Sequence, residues 1–240
     1  FREVPRGVAR GRTVVVHDWR GLGRSADSPD RAADIREAAR VAAAVCDDAV
    51  ITGLHVVGIV GVGACVAQWV AIDRPDLVRS LALSGGWAGP DPTFVDQMES
   101  LRAVYHAAGF AEFQRLCALW SFDPEFYAEH RDRVLGPDGA WKHLRDRPEL
   151  VDRLIDTTVG HDALDRLGEV RAPAFVLHAG ADLLTGPRLT EPIETAIPGA
   201  RGTLWEDLPH VVAGREAKTR FSELLDAFLR EVEGGRPERA

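Results

Sequence analysis

Lysine is almost missing from this 240-residue chain: Lys142 and Lys218 are the only two, and arginine carries the rest of the basic charge. With 29 basic against 37 acidic residues, the net charge is −8. There is no clustered basic footprint of the kind that grips phosphate backbones, so no nucleic-acid partner is expected. Cysteine is also scarce. Cys46, Cys65 and Cys117 are scattered and odd in number, and none belongs to a C-x-x-C pair. That argues against a disulfide framework and against a zinc site, and it points to reduced thiols in a cytoplasmic protein with no metal and no cofactor. No apolar run approaches the roughly 20 residues of a membrane-spanning helix, so no membrane partner is expected. No signal peptide is visible, although the chain opens on Phe1 rather than methionine. No internal repeat or low-complexity tract interrupts it.

What the chain does contain is enough apolar material, 45% of its residues, for one sizeable core. Short β-branched or apolar runs bounded by turn residues predict strands at Thr13–His17, Leu54–Val60, Val78–Ser84, Ala174–Ala179 and, more weakly, Gly202–Glu206. Helical apolar spacing predicts helices over Asp30–Asp48, Ala64–Asp73 (closed by Pro75) and Glu216–Glu233. Strands alternating with helices imply a mostly parallel sheet flanked by helices, an α/β fold. Between about Gly86 and Val170 this rhythm stops. Helical stretches are predicted at Phe94–His106, Gly109–Trp120 and Glu149–Val159, and much of the aromatic content collects here, including Trp87, Trp120, Phe126 and Trp141. The division is therefore a core over 1–86, a helical cap over 87–170 and the rest of the core over 171–240. A cap inserted over the carboxyl ends of strands covers the place where open α/β sheets bind ligands. Either these aromatics form only the cap's own core, or some of them roof an apolar pocket for a small apolar molecule. Homo-oligomerisation is left open, and the tail Gly234–Ala240 is expected to fray.

Four stretches carry a family resemblance. Asp18-Trp19-Arg20-Gly21-Leu22-Gly23-Arg24-Ser25 resembles the D-x-R-G-x-G-x-S loop of α/β-hydrolases. Pro75-Asp76-Leu77-Val78-Arg79-Ser80-Leu81 resembles their P-x-x-V-x-x-L segment. Pro173 with Val176 to Asp182 resembles P-x-L-V-x-x-G-x-x-D, and Leu208-Pro209-His210 stands where the family has G-H. The order and spacing fit over almost the whole chain, and the pattern is most similar to small-molecule esterases and enol-lactonases. The resemblance implies an α/β-hydrolase fold. Position by position, it implies Asp182 as the acid and His210 as the base of a catalytic pair. The readings without a catalytic role are a carboxylate capping the helix near Leu189 and a satisfied surface histidine.

The resemblance also implies a nucleophile on a strained turn, usually G-x-S-x-G. The segment here is Gly58-Ile59-Val60-Gly61-Val62-Gly63-Ala64-Cys65. Counted from the strand, Val60 replaces the serine. Counted back from Pro75, Gly61 does. The two registers differ by one residue, so an insertion or bulge lies between them. Neither residue can attack a carbonyl, and positive φ is costly for β-branched Val60 but easy for Gly61, which favours Gly61 as the tip. Cys65, a turn into the next helix, reads as a buried structural thiol. Ser84 ends a strand on the correct edge, where it can touch a ligand, as can Trp87 and Trp120. The family's N-terminal His-Gly oxyanion loop has no counterpart in Phe1 to Thr13: either the polypeptide was shortened or trimmed, or half of the oxyanion hole is lacking. Ordinary acyl transfer is therefore not expected. Three readings stand: a His210–Asp182 general base working without a covalent intermediate, a non-catalytic ligand-binding protein, and an ordinary ester or lactone hydrolase.

Overall fold

The computed structural model describes residues 6–9, 11–20, 25 and 34–234. Its centre is a four-stranded parallel sheet in the order β1 (Leu54–Ile59), β2 (Val78–Ser84), β3 (Ala174–Ala179) and β4 (Arg201–Trp205). The chain outside it forms α1 (Arg6–Ala9), α2 (Ile35–Asp48), α3 (Val62–Asp73), α4 (Pro92–Ala108), α5 (Phe110–Ser121), α6 (Pro124–Val134), α7 (Pro148–Val159), α8 (Pro187–Ala196) and α9 (Arg215–Gly234).

The two-residue period of the strands explains the layering. Leu81, Leu83, Ala174 and Val176 point to one face, into a core shared with α2 and α3, while Ala82, Leu177 and Ala179 point to the other, against Phe221, Leu225 and Phe228 of α9. Both faces are thus covered by helices, as a parallel sheet requires. α3 is buried nearly all round, from Ala64 through Ile72. Its close approach to the sheet depends on Gly58: a Cβ there would sit 2.6 Å from Ala67 Cβ and 2.7 Å from Ala64 Cα.

Two expectations need correction. Thr13–His17 is not a strand of the sheet. Among the described residues β1 pairs only with β2, and a segment without a neighbour has no ladder to join. Its valines are exposed, Val16 at 71%. The chain near it is instead tied to α9 by Arg12, whose guanidinium donates to Glu233 at 2.7 Å and Asp226 at 2.6 Å. Second, α6 was not anticipated. Pro124–Val134 has only Val134 buried, so it lacks the apolar stripe that reveals a helix. Its signals are at the ends: Asp123 accepts from the N–H groups of Glu125 and Phe126, and Pro124 occupies the first turn. Smaller differences fall at boundaries. α2 starts at Ile35 with Asp34 as its cap, and residues 30–33 lie outside the described residues, as do 235–240 of the expected frayed tail.

Between β2 and β3 the described chain is helical, with no strand from Gly85 to Pro173. No helix among the described residues is long and apolar enough to cross a membrane.

Candidate active site

The carboxyl ends of the four strands bring the sequence-selected residues together. β1 runs into the turn at Val60 and Gly61, β2 into Ser84-Gly85-Gly86-Trp87, β3 into Asp182 and β4 into His210. This is the edge where open parallel sheets build their sites.

The turn after β1 resolves the two registers. Ile59 still pairs with Ser84. Val60 N–H then donates to Ser84 O at 3.0 Å and Gly61 N–H to Gly85 O at 2.7 Å. Val60 has φ 57°, and Gly61 has φ 66° and ψ −124°. The expectation that Val60 would avoid positive φ is therefore wrong: both residues adopt it. The physical reason is the short span in which the chain must turn from strand to helix. With Gly58 locked against α3 and Gly61 capping α3, the turn falls on Val60, at a strain of about 1–3 kcal/mol. The position facing the histidine is Gly61, where a Cβ would lie 3.9 Å from His210 Nε2 and 3.9 Å from Trp87. Gly85 lies against the same imidazole, since a Cβ there would stand 3.6 Å from Cε1.

His210 and Asp182 are in direct contact. His210 Nδ1 lies 2.9 Å from Asp182 Oδ2, with side-chain exposures of 8% and 0%. Asp182 caps its own loop rather than α8. Its Oδ1 accepts from the N–H groups of Leu184 at 2.7 Å and Thr185 at 2.9 Å. Burial by itself would raise the Asp182 carboxyl. The adjacent His210 and the two loop N–H groups outweigh it and hold the carboxyl below the usual carboxylate range. The acid thus stays ionised, with Nδ1 as its donor and Nε2 turned towards Gly61.

Thr185 escaped the sequence reading. It is 1% exposed, and its hydroxyl donates to Asp182 Oδ2 at 2.9 Å while lying 3.1 Å from His210 Nδ1. The Asp-x-x-Thr spacing, a common side-chain-to-backbone turn pattern, was its only signal. The His210 loop is also held from both sides. Ala181 N–H donates to Leu208 O at 3.0 Å, and Val211 N–H donates to Ser121 O at the end of α5 at 2.9 Å. That second bond sets the α5 terminus carrying Trp120 beside the histidine loop.

The other candidates fall as follows. Cys65 is fully buried, with its Sγ 3.3 Å from Trp87 O, and burial pushes its thiol far above the usual range. It is no nucleophile. Ser84 is buried at the end of β2 and meets the turn through its backbone carbonyl. Trp87 is buried with the Phe94 ring tilted against it at 4.7 Å between centroids, and Trp120 is half-buried against the main core. Gly21–Arg24, the centre of the Asp18–Ser25 loop, lies outside the described residues. Among the described residues no three of His, Cys, Asp and Glu gather into a group that could hold a metal ion.

Comparison with known proteins agrees with this architecture. A protein named "Putative carbamate hydrolase RutD" from Azorhizobium caulinodans is 30% identical over 223 residues, covering 92% of this chain and 82% of its own. The enol-lactonase from Burkholderia xenovorans superimposes with a TM-score of 0.73 at 19% identity, over 89% of this chain and 79% of that one. An alpha/beta hydrolase enzyme, MGS-M2, from a deep-sea metagenome library of the Medee basin superimposes at 0.75 with 16% identity, over 93% and 80%. Residues 1–213 match the family described as alpha/beta hydrolase fold, and the chain belongs to that family.

Proposed function

We propose that this protein is a general-base enzyme of hydrolase ancestry, in which the His210–Asp182 pair activates water, or a proton of the substrate, without an acyl-enzyme. The carrying observation is the bare tip: His210 Nε2 faces Gly61, which has no side chain to attack with. Ionised Asp182 keeps the proton on Nδ1, so Nε2 is the basic nitrogen. In hydrolysis, a water beside Gly61 gives its proton to Nε2 as its oxygen attacks the substrate carbonyl. The Val62 N–H in the first turn of α3 has no partner inside the helix and can donate to the developing oxyanion. Collapse of the adduct returns the Nε2 proton to the leaving group.

The substrate class we infer is a small, largely apolar ester, lactone or carbamate bound beneath the helices between β2 and β3, read as a cap. The names of the RutD relatives and of the enol-lactonase support this class. The aromatic residues of that segment and the Val211–Ser121 link support the location.

The test is a panel of such compounds with the parent protein and His210→Ala. Turnover without a burst, lost in His210→Ala, with no mass adduct after fluorophosphonate treatment, is the expected result. A stoichiometric adduct would overturn it. Thermal stabilisation by a panel member without turnover would favour the ligand-binding reading instead.

A further inference from the structure

The Thr185 hydroxyl has two neighbours, and both belong to the His210–Asp182 pair. It lies 2.9 Å from Asp182 Oδ2 and 3.1 Å from His210 Nδ1, in a side chain closed off from solvent. Hydroxyl, carboxylate oxygen and ring nitrogen thus form a closed triangle, the third edge being the 2.9 Å Asp182–His210 contact. With the two loop N–H groups on Oδ1, the carboxylate accepts four hydrogen bonds, which fills its acceptor sites.

We propose that Thr185 is a positioning residue that sets the basicity of His210: its hydroxyl competes with the imidazole for Asp182 Oδ2 and holds the ring in the Nδ1–H tautomer with Nε2 aimed at Gly61. The physical reasoning is one of sharing. Two donors on one oxygen each receive less of its charge. When His210 is neutral, the carboxylate is the stronger acceptor for Thr185. When His210 is protonated, the imidazolium draws that charge and the hydroxyl bond weakens. The hydroxyl therefore favours the neutral ring. It lowers the proton affinity of Nε2 below that of a bare His–Asp pair. The neighbours of the ring on its elbow side, among the described residues, are uncharged. Gly61 and Gly85 face it there, Trp87 stands beside Gly61, and the cap reaches the loop through a backbone carbonyl, that of Ser121.

The proposal rests on the general-base reading of His210, but its test reads the imidazole directly and needs no substrate. The pKa of His210 is followed by ¹H–¹⁵N NMR of its ring nitrogens in the parent, Thr185→Val, Thr185→Ala and Thr185→Ser proteins. Valine keeps the branched shape and removes the hydroxyl. Alanine removes it without a methyl to press on Asp182, which covers the case where the valine variant does not fold. Only the difference in the strength of the hydroxyl's bond between the two protonation states of the ring counts. The His210 pKa should therefore rise by about half a unit or more in the valine and alanine variants. The Nδ1–H resonance should move downfield as Asp182 gives its full charge to the ring. Serine should restore both. An unchanged His210 pKa and Nδ1–H shift without the hydroxyl would overturn the proposal and leave Thr185 as packing. If those shifts appear but no panel compound is turned over, Thr185 tunes the ring as proposed and the enzymatic reading alone fails.

Discussion

Gly61→Ser is the perturbation that most sharply tests the geometry of this site. A serine Cβ at position 61 would stand 3.9 Å from His210 Nε2, with the nearest other atom, on Trp87, also at 3.9 Å. The pocket therefore accepts the carbon without a clash. A C–O bond of about 1.4 Å swung towards the ring brings the hydroxyl within roughly 2.6–3.2 Å of Nε2, the reach a base needs to take its proton. The cost lies in the backbone. Gly61 sits at φ 66°, and a side chain there costs about 1–3 kcal/mol. For a domain of this size that is a loss of roughly 2–4 °C in Tm for each kcal/mol. The variant should thus melt lower yet gain a labelling reaction: a fluorophosphonate adduct by intact mass and slow turnover of small activated esters. The gain should be modest, because Val62 is the backbone donor next to the tip among the described residues, and each oxyanion donor is worth about 10²–10³ in rate. Val60→Ser should label no better than the parent, because Gly61 is the residue that faces His210. If Val60→Ser is labelled and Gly61→Ser is not, the assignment of the facing residue is wrong. If neither reacts while both fold, a hydroxyl at that distance is not enough for acyl transfer at this site.

Other outcomes follow from the same structure. Val60→Gly should raise stability by about 1 kcal/mol, read as a higher Tm, since it relieves a β-branched residue held at φ 57°. In native protein only half-buried Cys46 should react promptly with a thiol reagent. Cys65 is fully buried, and burial pushes the Cys117 thiol up to about 12, so both should react only on unfolding. His161, whose Nδ1 accepts from Trp69 Nε1 at 3.3 Å, is held by burial at about 4 rather than 6.5. The unfolded chain therefore binds a proton there that the native chain refuses, and stability is lost as pH falls from 6.5 towards 4. Between pH 7 and 5 the loss from this residue is about 2 kcal/mol. Urea midpoints should show it, and His161→Phe should flatten that part of the profile. An equal slope in the variant would refute the assignment.

Much of this protein is local. β2 and β3 run over the residues their apolar pattern marked, and β1, α3 and α9 lie within one or two residues of it, because burial on both faces of a parallel sheet imposes continuous apolar runs. Asp182 and His210 could be picked out because each follows a strand at a spacing familiar from hydrolases. Other features depend on neighbours far along the chain. Thr13–His17 has a strand's composition, yet a strand is defined by its partner, and none of the described residues pairs with it. α6 lacks an apolar stripe, so only its caps announce it. The residue facing the histidine was ambiguous by one position, because counting from the strand and counting back from Pro75 give different registers. Two distant contacts fix it: Gly58 pressed against α3 on one side, and His210, arriving from the far end of the chain, against Gly61 on the other. Thr185 is invisible for the same reason. A threonine in a loop is ordinary until folding brings His210 within 3.1 Å of its hydroxyl. Spacing along the chain can nominate an acid and a base, but the distance between them, and what shares their hydrogen bonds, exists only once the strands lie side by side.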